Sequence, residues 1–247
     1  MRAEPVTVAI STLGKGVTRI AMPPPVEGLL WAVLAQEAPE VWPAEWASRK
    51  DVTLHRLPDR GLSKSRNAGL DLVETDLMLV ADDDLAFNTE GILALAARMT
   101  ADPGLVLCTG IVTRPHAIHS KLAQDWKVFR AGRIMSSEIM IRRSRLTALG
   151  LRFDEDFGLG TATPTGEEYI LLADVLKAGG RATYEPILLA RHPNESTGQN
   201  WDDSDLVTAR FRVIDRVFGR LALPMRLAFA WRHRQKLGRR IVLALKR

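Results

Sequence analysis

Residues 77–84 have the sequence LMLVADDD, an apolar run that ends directly in three acidic residues. A continuous apolar run without polar alternation is typical of a central strand that is buried on both faces of a parallel sheet. Ligands of open α/β sheets bind beyond the carboxyl ends of such strands. The run therefore predicts a strand over residues 77–81 that presents Asp82, Asp83 and Asp84 to a ligand. Because side chains alternate along an extended backbone, Asp82 and Asp84 are predicted to face the same way.

Strand-like and helix-like segments alternate on both sides of this run. Apolar and β-branched runs predict strands, and longer segments with helical periodicity predict helices. The predicted strands are 5–11, 29–35, 52–57, 77–81, 105–112, 134–142 and 182–190, and the predicted helices are 63–73, 90–100 and 167–178. Ser63 or Ser65 is the predicted cap of the first helix. The alternation predicts an α/β fold with a mostly parallel sheet flanked by helices.

The last part of the chain has a different character. From residue 205 onward, two amphipathic helical segments separated by Pro224 are predicted. We therefore expect one catalytic domain over residues 1–204 and a basic helical C-terminal extension over residues 205–247. The extension carries twelve lysines and arginines against two aspartates, whereas the whole chain has a net charge of +5. This uneven distribution indicates an acidic partner for the basic part.

Three interpretations of the basic extension are open. A helix with an apolar and a cationic face can lie on an anionic membrane surface. Alternatively, the helices pack on the catalytic domain and expose a solvated basic side. A nucleic-acid-binding element is the third interpretation. The clustered acids and alternating strands elsewhere in the chain give it no support, so we expect no nucleic acid as a partner.

The expected location of the protein is the cytoplasm. Cys108 is the single cysteine, so no intramolecular disulfide can form, which fits a reducing compartment. No stretch reaches the roughly 18–20 apolar residues of a spanning helix, and the first residues lack the apolar segment of a secretory signal. If the extension binds lipid, we expect a peripheral position on the inner face of the cytoplasmic membrane.

The acidic run at residues 82–84 predicts a metal or nucleotide site. Three adjacent carboxylates repel one another, and a divalent cation removes this cost. Mg²⁺ and Mn²⁺ prefer carboxylate oxygens and are commonly shared with substrate phosphates. The alternative is a solvated acidic turn with a helix cap.

Residues 60–70 (RGLSKSRNAGL) carry a second candidate site. Lys64 and Arg66 lie two residues apart near a helix start, and a helix N-terminus with cationic side chains suits a phosphate. The alternative is an ordinary capped surface helix with solvated charges.

Two later segments contain further candidates. Residues 153–169 end in Glu167 and Glu168 at a helix start. The helix dipole favours acids there, and one of the two is a candidate general base. Residues 191–198 include His192, which is either a metal ligand or a local hydrogen-bond partner.

In this order, the four segments resemble the family-two glycosyltransferases of the GT-A fold, over roughly residues 6–197. The resemblance implies a Rossmann-like GT-A domain, a nucleotide-sugar donor, usually a UDP-sugar, and inversion at the anomeric carbon. It implies that Asp82 faces the nucleotide and that Asp84 ligates Mn²⁺ or Mg²⁺, with Asp83 between them. Asp82 and His192 are the further candidate ligands of the metal ion.

The same resemblance assigns the remaining roles. Glu168 occupies the place of the catalytic base, with Glu167 as the alternative, and the pair Arg66 and Asn67 lies near the diphosphate or nucleoside.

One position departs from the family pattern. The strand over residues 29–35 ends in Gln36, where the family usually has an acidic segment that reads the base. Gln36 is the candidate for this role because an amide both donates and accepts hydrogen bonds. Thr12 is expected beside the base.

The implied reaction is an in-line transfer of a sugar to an acceptor hydroxyl. Glu168 takes the acceptor proton, the metal ion offsets charge on the diphosphate, and the loop at 158–166 orders over the donor. The expected acceptor is a lipid-linked glycan or a polysaccharide. Two rival phosphate-handling enzymes are a phosphatase of the haloacid dehalogenase type and a nucleotidyltransferase. The chain lacks a clear lysine partner downstream of the acids and a glycine-rich loop near its N-terminus, which these rivals use.

Overall fold

The computed structural model describes residues 4–114, 119–192 and 200–245. Its framework is a nine-stranded mixed sheet formed by β1 (Val6–Leu13), β2 (Leu29–Gln36), β3 (Val52–Leu57), β4 (Leu77–Asp82), β5 (Ala86–Phe87), β6 (Leu105–Thr113), β7 (Gln124–Asp125), β8 (Ile139–Arg142) and β9 (Arg181–Arg191). The strands are ordered β3-β2-β1-β4-β8-β6-β9-β5, and β7 pairs with β9. All predicted strands except 134–142 are found within two residues of their predicted bounds.

Parallel pairing brings the polar ends of several strands to one edge of the sheet. β1 runs parallel to both β2 and β4, so that Leu13 pairs with Gln36 and Ser11 pairs with Asp82. β8 is antiparallel to both β4 and β6, so β6 points the same way as β4 and ends at the same edge. Because the apolar part of each strand is buried, the polar residues that follow leave the core together at this edge.

Helices cover both faces of the sheet. Their bounds are α1 (Ala44–Ala47), α2 (Leu62–Leu72), α3 (Thr89–Ala101), α4 (Arg143–Ala148), α5 (Glu167–Lys177), α6 (Ser204–Phe218), α7 (Ala222–Arg232) and α8 (Arg234–Leu237). On one face, Trp31 of β2 belongs to the same core as Ile92 of α3. On the other, Met78 of β4 shares a core with Leu70 of α2 and Leu171 of α5. This is the layered α/β architecture that the alternation predicts.

The predicted strand over residues 134–142 is wrong in its first half. Ser136–Glu138 form a 3-10 turn, and β8 begins only at Ile139. The Glu138 carboxylate accepts hydrogen bonds from the backbone N–H groups of Met135 (3.2 Å) and Val112 (3.4 Å). Side chain–backbone bonds of this kind compete with the sheet ladder, which explains the late start of the strand.

The predicted serine cap of α2 is also wrong. Gly61 precedes the helix with φ 125° and no side-chain cap. Ser63 Oγ donates instead to the Phe157 carbonyl oxygen at 2.6 Å, and Ser65 Oγ donates to Ser11 Oγ at 2.9 Å. The two hydroxyls therefore tie α2 to the loop before α5 and to β1.

The C-terminal helices break at Gly219 and not at Pro224. Gly219 follows α6 with φ 51°, a conformation that favours glycine. Pro224 lies in the first turn of α7, where its missing N–H would have no partner in the helix. α6 packs Val213 into one apolar cluster with Ile170 of α5. The extension therefore shares a core with the preceding residues, and the division of the chain at residue 204 stays a prediction.

Candidate active site

A cleft of about 620 Å³ opens at the edge where β1, β2 and β4 end. Many of the site residues that the sequence predicts line it: Thr12, Gln36, Asp82, Asp83, Asp84, Glu167, Glu168 and His192. Lys64 is exposed and does not line the cleft, and Arg66 and Asn67 are buried and do not line it either. The sheet thus brings together acids that are up to 86 positions apart in the chain, from Asp82 to Glu168.

Asp83 is held in place by two donors. Its Oδ2 atom accepts a hydrogen bond from Thr12 Oγ1 at 2.6 Å, and its Oδ1 atom pairs with Arg19 Nη2 at 2.8 Å. A Cβ atom on Gly16 would come within 2.1 Å of Asp83 Oδ2, so a larger residue at this position would have to displace the carboxylate. Thr12 and Asp83 therefore form one buried unit at the floor of the cleft, and Arg19 is a cation that the sequence did not single out.

Asp82 and Asp84 have different partners. Asp84 Oδ1 lies 3.2 Å from His192 Nε2. Asp82 Oδ1 lies 3.4 Å from Arg66 Nη2, and Asp82 Oδ2 accepts a hydrogen bond from Ser137 Oγ at 3.3 Å. The structure therefore brings Asp84 and His192 together and pairs Asp82 with a cation. The continuation of the histidine segment, residues 193–198, lies outside the described residues.

The donor set of the cleft fits a metal ion that is shared with a substrate. Among the described residues, no three acidic, histidine or cysteine side chains are arranged to hold a metal ion by themselves. Asp84 and His192 offer one carboxylate and one imidazole. Mg²⁺ is commonly bound through one or two carboxylates, with substrate phosphates completing its coordination. The two side chains would therefore hold a cation only together with ligands such as diphosphate oxygens.

Arg66 forms a buried ion pair with Glu167. The Arg66 side chain is only 1% exposed, and its Nη1 atom lies 2.5 Å from Glu167 Oε1. The guanidinium also lies over the Phe153 ring, 5.6 Å from its centroid. Burial by itself would lower the pKa of Arg66, but the charges of Glu167 and Asp82 raise it above its usual value. The pair keeps Glu167 in contact with a permanent cation.

Glu168 follows Glu167 in the chain but has a different environment. Its Oε2 atom is buried and has no hydrogen-bond partner in the part of the chain that the structure describes. Burial, followed by repulsion from the Glu167 charge, raises the pKa of Glu168 well above its usual range. Two adjacent carboxylates with opposite environments are a recurrent arrangement of acid–base sites. Glu168 is therefore the better candidate for a proton acceptor.

The position of the two glutamates depends on α6. Gly166, which precedes α5, has φ 86° and lacks a side-chain cap. A Cβ atom on Gly166 would approach Val213 Cγ2 of α6 to 2.4 Å. Only glycine permits both this backbone conformation and this close contact. The C-terminal extension is thus packed directly behind the start of the acidic helix.

The side-chain amides of Gln36 and Asn67 hydrogen-bond mainly to the backbone. Gln36 Nε2 donates to the carbonyl oxygens of Asp59 (2.5 Å) and Gly61 (3.0 Å), which occupies both amide hydrogens. Gln36 Oε1 already accepts a hydrogen bond from Gly61 N. A nucleobase could therefore bind only to the remaining lone pair of this oxygen. Asn67 Nδ2 donates to the Phe153 carbonyl oxygen at 3.0 Å, so it anchors the segment before α5.

Arg114 is a cleft residue that the sequence analysis missed. It directly follows β6 and lines the cleft, and its Nε and Nη1 atoms are buried without a hydrogen-bond partner among the described residues. Burial lowers the pKa of Arg114, and the nearby acids, Asp82 and Glu138 first among them, oppose this shift. Its place at the end of a buried apolar strand is the signal that could have identified it, since residues 82–84 were found in the same way.

Comparisons with known proteins agree with this geometry. Residues 34–155 match the family model described as glycosyl transferase family 2. No curated protein sequence matches the chain significantly. The S. aureus TarS fragment 1-349 aligns over 98% of this chain and 75% of its own, with 13% identity and a TM-score of 0.66. Its complex with UDP-GlcNAc aligns over 98% and 76%, with 13% identity and a TM-score of 0.63. The mannosyltransferase PcManGT from Pyrobaculum calidifontis, in complex with GDP-Man and Mn²⁺, aligns over 98% and 70%, with 16% identity and a TM-score of 0.57.

The chain has the GT-A fold of these glycosyltransferases. Residues 34–155, just under half of the chain, are similar to glycosyl transferase family 2. The predicted fold class and enzyme class are confirmed.

Proposed function

We propose that the chain is an inverting glycosyltransferase that moves a sugar from a nucleotide-diphosphate sugar, with a UDP-sugar as the first candidate, to an acceptor hydroxyl. The observation that carries this proposal is the pair of glutamates beside the aspartate cleft. Glu167 is paired with Arg66, whereas one oxygen of Glu168 is buried without a hydrogen-bond partner in the described part of the chain. A base must lie within hydrogen-bond reach of the proton that it removes, and Glu168 lines the same cleft as the three aspartates.

The donor occupies the cleft at the ends of β1, β2 and β4. We assign the nucleoside side to Thr12, Gln36, Asp82 and Asp83, with Arg66 and Asn67 as positioning residues beneath it, and we leave the exposed Lys64 as a contact for an outer phosphate. Asp84 and His192, with Asp82 beside them, would hold Mn²⁺ or Mg²⁺ together with the diphosphate. When bound, the cation offsets the charge that develops on the leaving diphosphate. The TarS fragment 1-349 in complex with UDP supports the choice of UDP.

Glu168 takes the proton of the acceptor hydroxyl. Its raised pKa makes it a stronger base than an ordinary glutamate once it is ionised. Arg114 lines the cleft, and two of its hydrogen-bond donors have no partner among the described residues, so it is a candidate to bind oxygens of a leaving diphosphate. The loop at 158–166 is tied to α2, since Leu62 N donates to the Leu159 carbonyl oxygen at 2.9 Å, and Leu159 lines the cleft.

The release of nucleotide diphosphate from a panel of UDP-sugars, GDP-sugars and other sugar nucleotides tests this function. We expect release from one donor in the presence of Mn²⁺ or Mg²⁺ and none with EDTA. Asp84→Asn is expected to reduce this release on the order of 100-fold, because a metal ion contributes several kcal/mol to such a step. Asp125→Asn, an exposed acid on β7, is the matched control and keeps the wild-type rate.

A purely acceptor-dependent enzyme shows no release without its acceptor, so equilibrium binding of UDP and GDP is measured in parallel. Absence of cation-dependent binding of any nucleotide diphosphate contradicts the proposed function.

We also propose that the C-terminal extension binds an anionic membrane surface, at the inner face of the cytoplasmic membrane, where a lipid-linked glycan or a polysaccharide precursor would be the acceptor. None of the described helices is long and apolar enough to cross a membrane. Several large apolar side chains on the extension are exposed, namely Leu221, Leu223, Leu227, Trp231, Val242 and Leu245. Exposed apolar residues among many cations are typical of helices that lie in the membrane interface.

Sedimentation with vesicles tests the membrane proposal. We expect the protein to bind phosphatidylglycerol vesicles at low salt and to dissociate from them when added salt screens its cationic side chains. It should not bind phosphatidylcholine vesicles. The double variant Leu221→Asn/Leu223→Asn is expected to bind at least about tenfold more weakly, because an apolar side chain contributes roughly 1.5–3 kcal/mol when fully buried and about 1.4 kcal/mol is a factor of ten in affinity. Val41→Asn/Leu122→Asn changes two exposed apolar residues elsewhere and is the control. Equal binding of both double variants contradicts the proposal.

A further inference from the structure

A second cavity of about 1120 Å³ adjoins the cleft. It lies between the C-terminal helices α6 and α7 on one side and the segment before β8 and the start of α5 on the other. Met135, Thr165 and Glu168 line both spaces. The two spaces therefore meet at Glu168, the residue that we propose as the base.

The walls of this cavity are aromatic and cationic. Its aromatic lining comprises Phe129, Tyr169, Trp201, Phe218, Phe229 and Trp231, and its cationic lining comprises Arg130, Arg210, Arg232 and Arg234. Glu168 is the only acidic residue among the described residues that line it. The cavity thus offers an apolar wall to an aliphatic or ring-like group and positive charge to an anion.

Two of these arginines are positioned by stacking. Arg210 lies over the Trp201 ring at 4.3 Å from its centroid, and Arg234 lies over the Trp231 ring at 4.8 Å. Arg210 Nη2 donates to the Asn200 carbonyl oxygen and Arg234 Nη1 donates to the Trp231 carbonyl oxygen. A guanidinium that stacks through its face can direct its other N–H groups to phosphate oxygens. The combination of a stacked guanidinium and an apolar wall favours a ligand that carries both a phosphate and an apolar portion.

An exposed apolar stripe leads to the cavity. Leu223, Leu227 and Trp231 follow one another at intervals of four residues along α7, which places them on one face of the helix. They are 53%, 46% and 69% exposed, respectively, and Trp231 also lines the cavity. The stripe provides a continuous apolar path from the surface of the extension to the cavity wall.

We propose that this cavity is the acceptor site, and that the acceptor is a phosphate-bearing amphiphile whose phosphate is bound by Arg232 and Arg234 and whose apolar portion lies against the aromatic wall. This inference rests on the proposed function, because it identifies the acceptor class of the same site. In the transfer, the acceptor oxygen forms a bond to the anomeric carbon and its proton passes to Glu168. The bond from the anomeric carbon to the phosphate oxygen breaks, and its electron pair leaves with the nucleotide diphosphate.

Tryptophan fluorescence tests the cavity without any donor or turnover, since Trp201 and Trp231 line it. The probe is octyl phosphate below its micellar concentration, and the comparison ligands are octyl glucoside and inorganic phosphate. We expect saturable binding of octyl phosphate that is at least about tenfold tighter than that of either comparison ligand. Equal affinity for octyl glucoside would mean that the phosphate contributes nothing to binding, and equal affinity for inorganic phosphate would mean that the octyl chain contributes nothing. Either result overturns the proposal.

The double variant Arg232→Gln/Arg234→Gln is expected to lose about tenfold in affinity for octyl phosphate and to bind octyl glucoside as the wild type does. Both arginines are exposed, so the fold is retained. Arg220→Gln/Arg239→Gln removes two exposed cations of the extension that do not line the cavity and is expected to bind octyl phosphate normally. Unchanged binding in the first variant, or an equal loss in both, overturns the proposal.

The two proposals can fail separately. If nucleotide binding is absent but octyl phosphate binds as described, the proposed function fails while the cavity remains a phosphate-amphiphile site. If donor hydrolysis is found and octyl phosphate does not bind, only the acceptor proposal fails.

Discussion

Glu168→Gln is expected to lower nucleotide release by about 10²- to 10⁴-fold, the usual contribution of a general base. The amide has nearly the shape of the carboxylate but cannot accept the acceptor proton. Glu168 makes no hydrogen bond through Oε2 in the described structure, so the change breaks no contact of that atom. Nucleotide binding and thermal stability should therefore stay close to those of the wild type. Steady-state rates, nucleotide affinity and melting temperature are the measurements, and Glu90→Gln on the exposed surface of α3 is the control.

The pH profile identifies the carboxylate that titrates. A base works only when it is ionised, so activity falls as the pH falls through the pKa of Glu168. Because burial and the Glu167 charge raise that pKa above the usual value of 4.5, the acidic limb should lie above the pH at which an ordinary glutamate titrates. Glu167→Gln removes the second of these causes and should move the limb to lower pH. A wild-type limb near pH 4.5, or full activity of Glu168→Gln, would show that Glu168 is not the base.

Arg66→Met is expected to destabilise the fold by about 3–5 kcal/mol, because it leaves the buried carboxylate of Glu167 without its cation. For a chain of this size, that corresponds to a decrease of about 10 °C in melting temperature. The ion pair joins α2 to α5 across the floor of the cleft, so activity should fall with stability. Calorimetry or thermal unfolding by circular dichroism measures the effect.

Two further variants test whether the loss of stability depends on the burial of the ion pair. Arg152 forms an exposed pair with Asp71, in which the side chains are 48% and 60% exposed, and Arg152→Met should change stability by less than about 1 kcal/mol. The double variant Arg66→Met/Glu167→Leu removes both buried charges and should recover much of the loss. An Arg66→Met protein as stable as the wild type would contradict the importance of the pair.

The strands and the binding edge could be predicted from the sequence for a local reason. A buried strand needs a run of apolar residues, and the polar residues that follow it must leave the core, so LMLVADDD indicates both the strand and the edge. Helical periodicity located α5, with the two glutamates at its start. It failed at residues 134–138, where the Glu138 side chain satisfies the backbone, and at Pro224, which the first turn of α7 tolerates.

The sequence by itself thus determined the α/β order, the acidic edge and the resemblance to the family-two glycosyltransferases. Only the tertiary structure decided how the site residues are paired: Arg66 bonds to Glu167, 101 positions away, and the Gln36 amide is occupied by backbone at residues 59–61. It also decided that α6 and α7 enclose a cavity beside Glu168. Local patterns report which face of an element is buried, whereas the partner of a buried polar group depends on which distant segments the packing brings into contact.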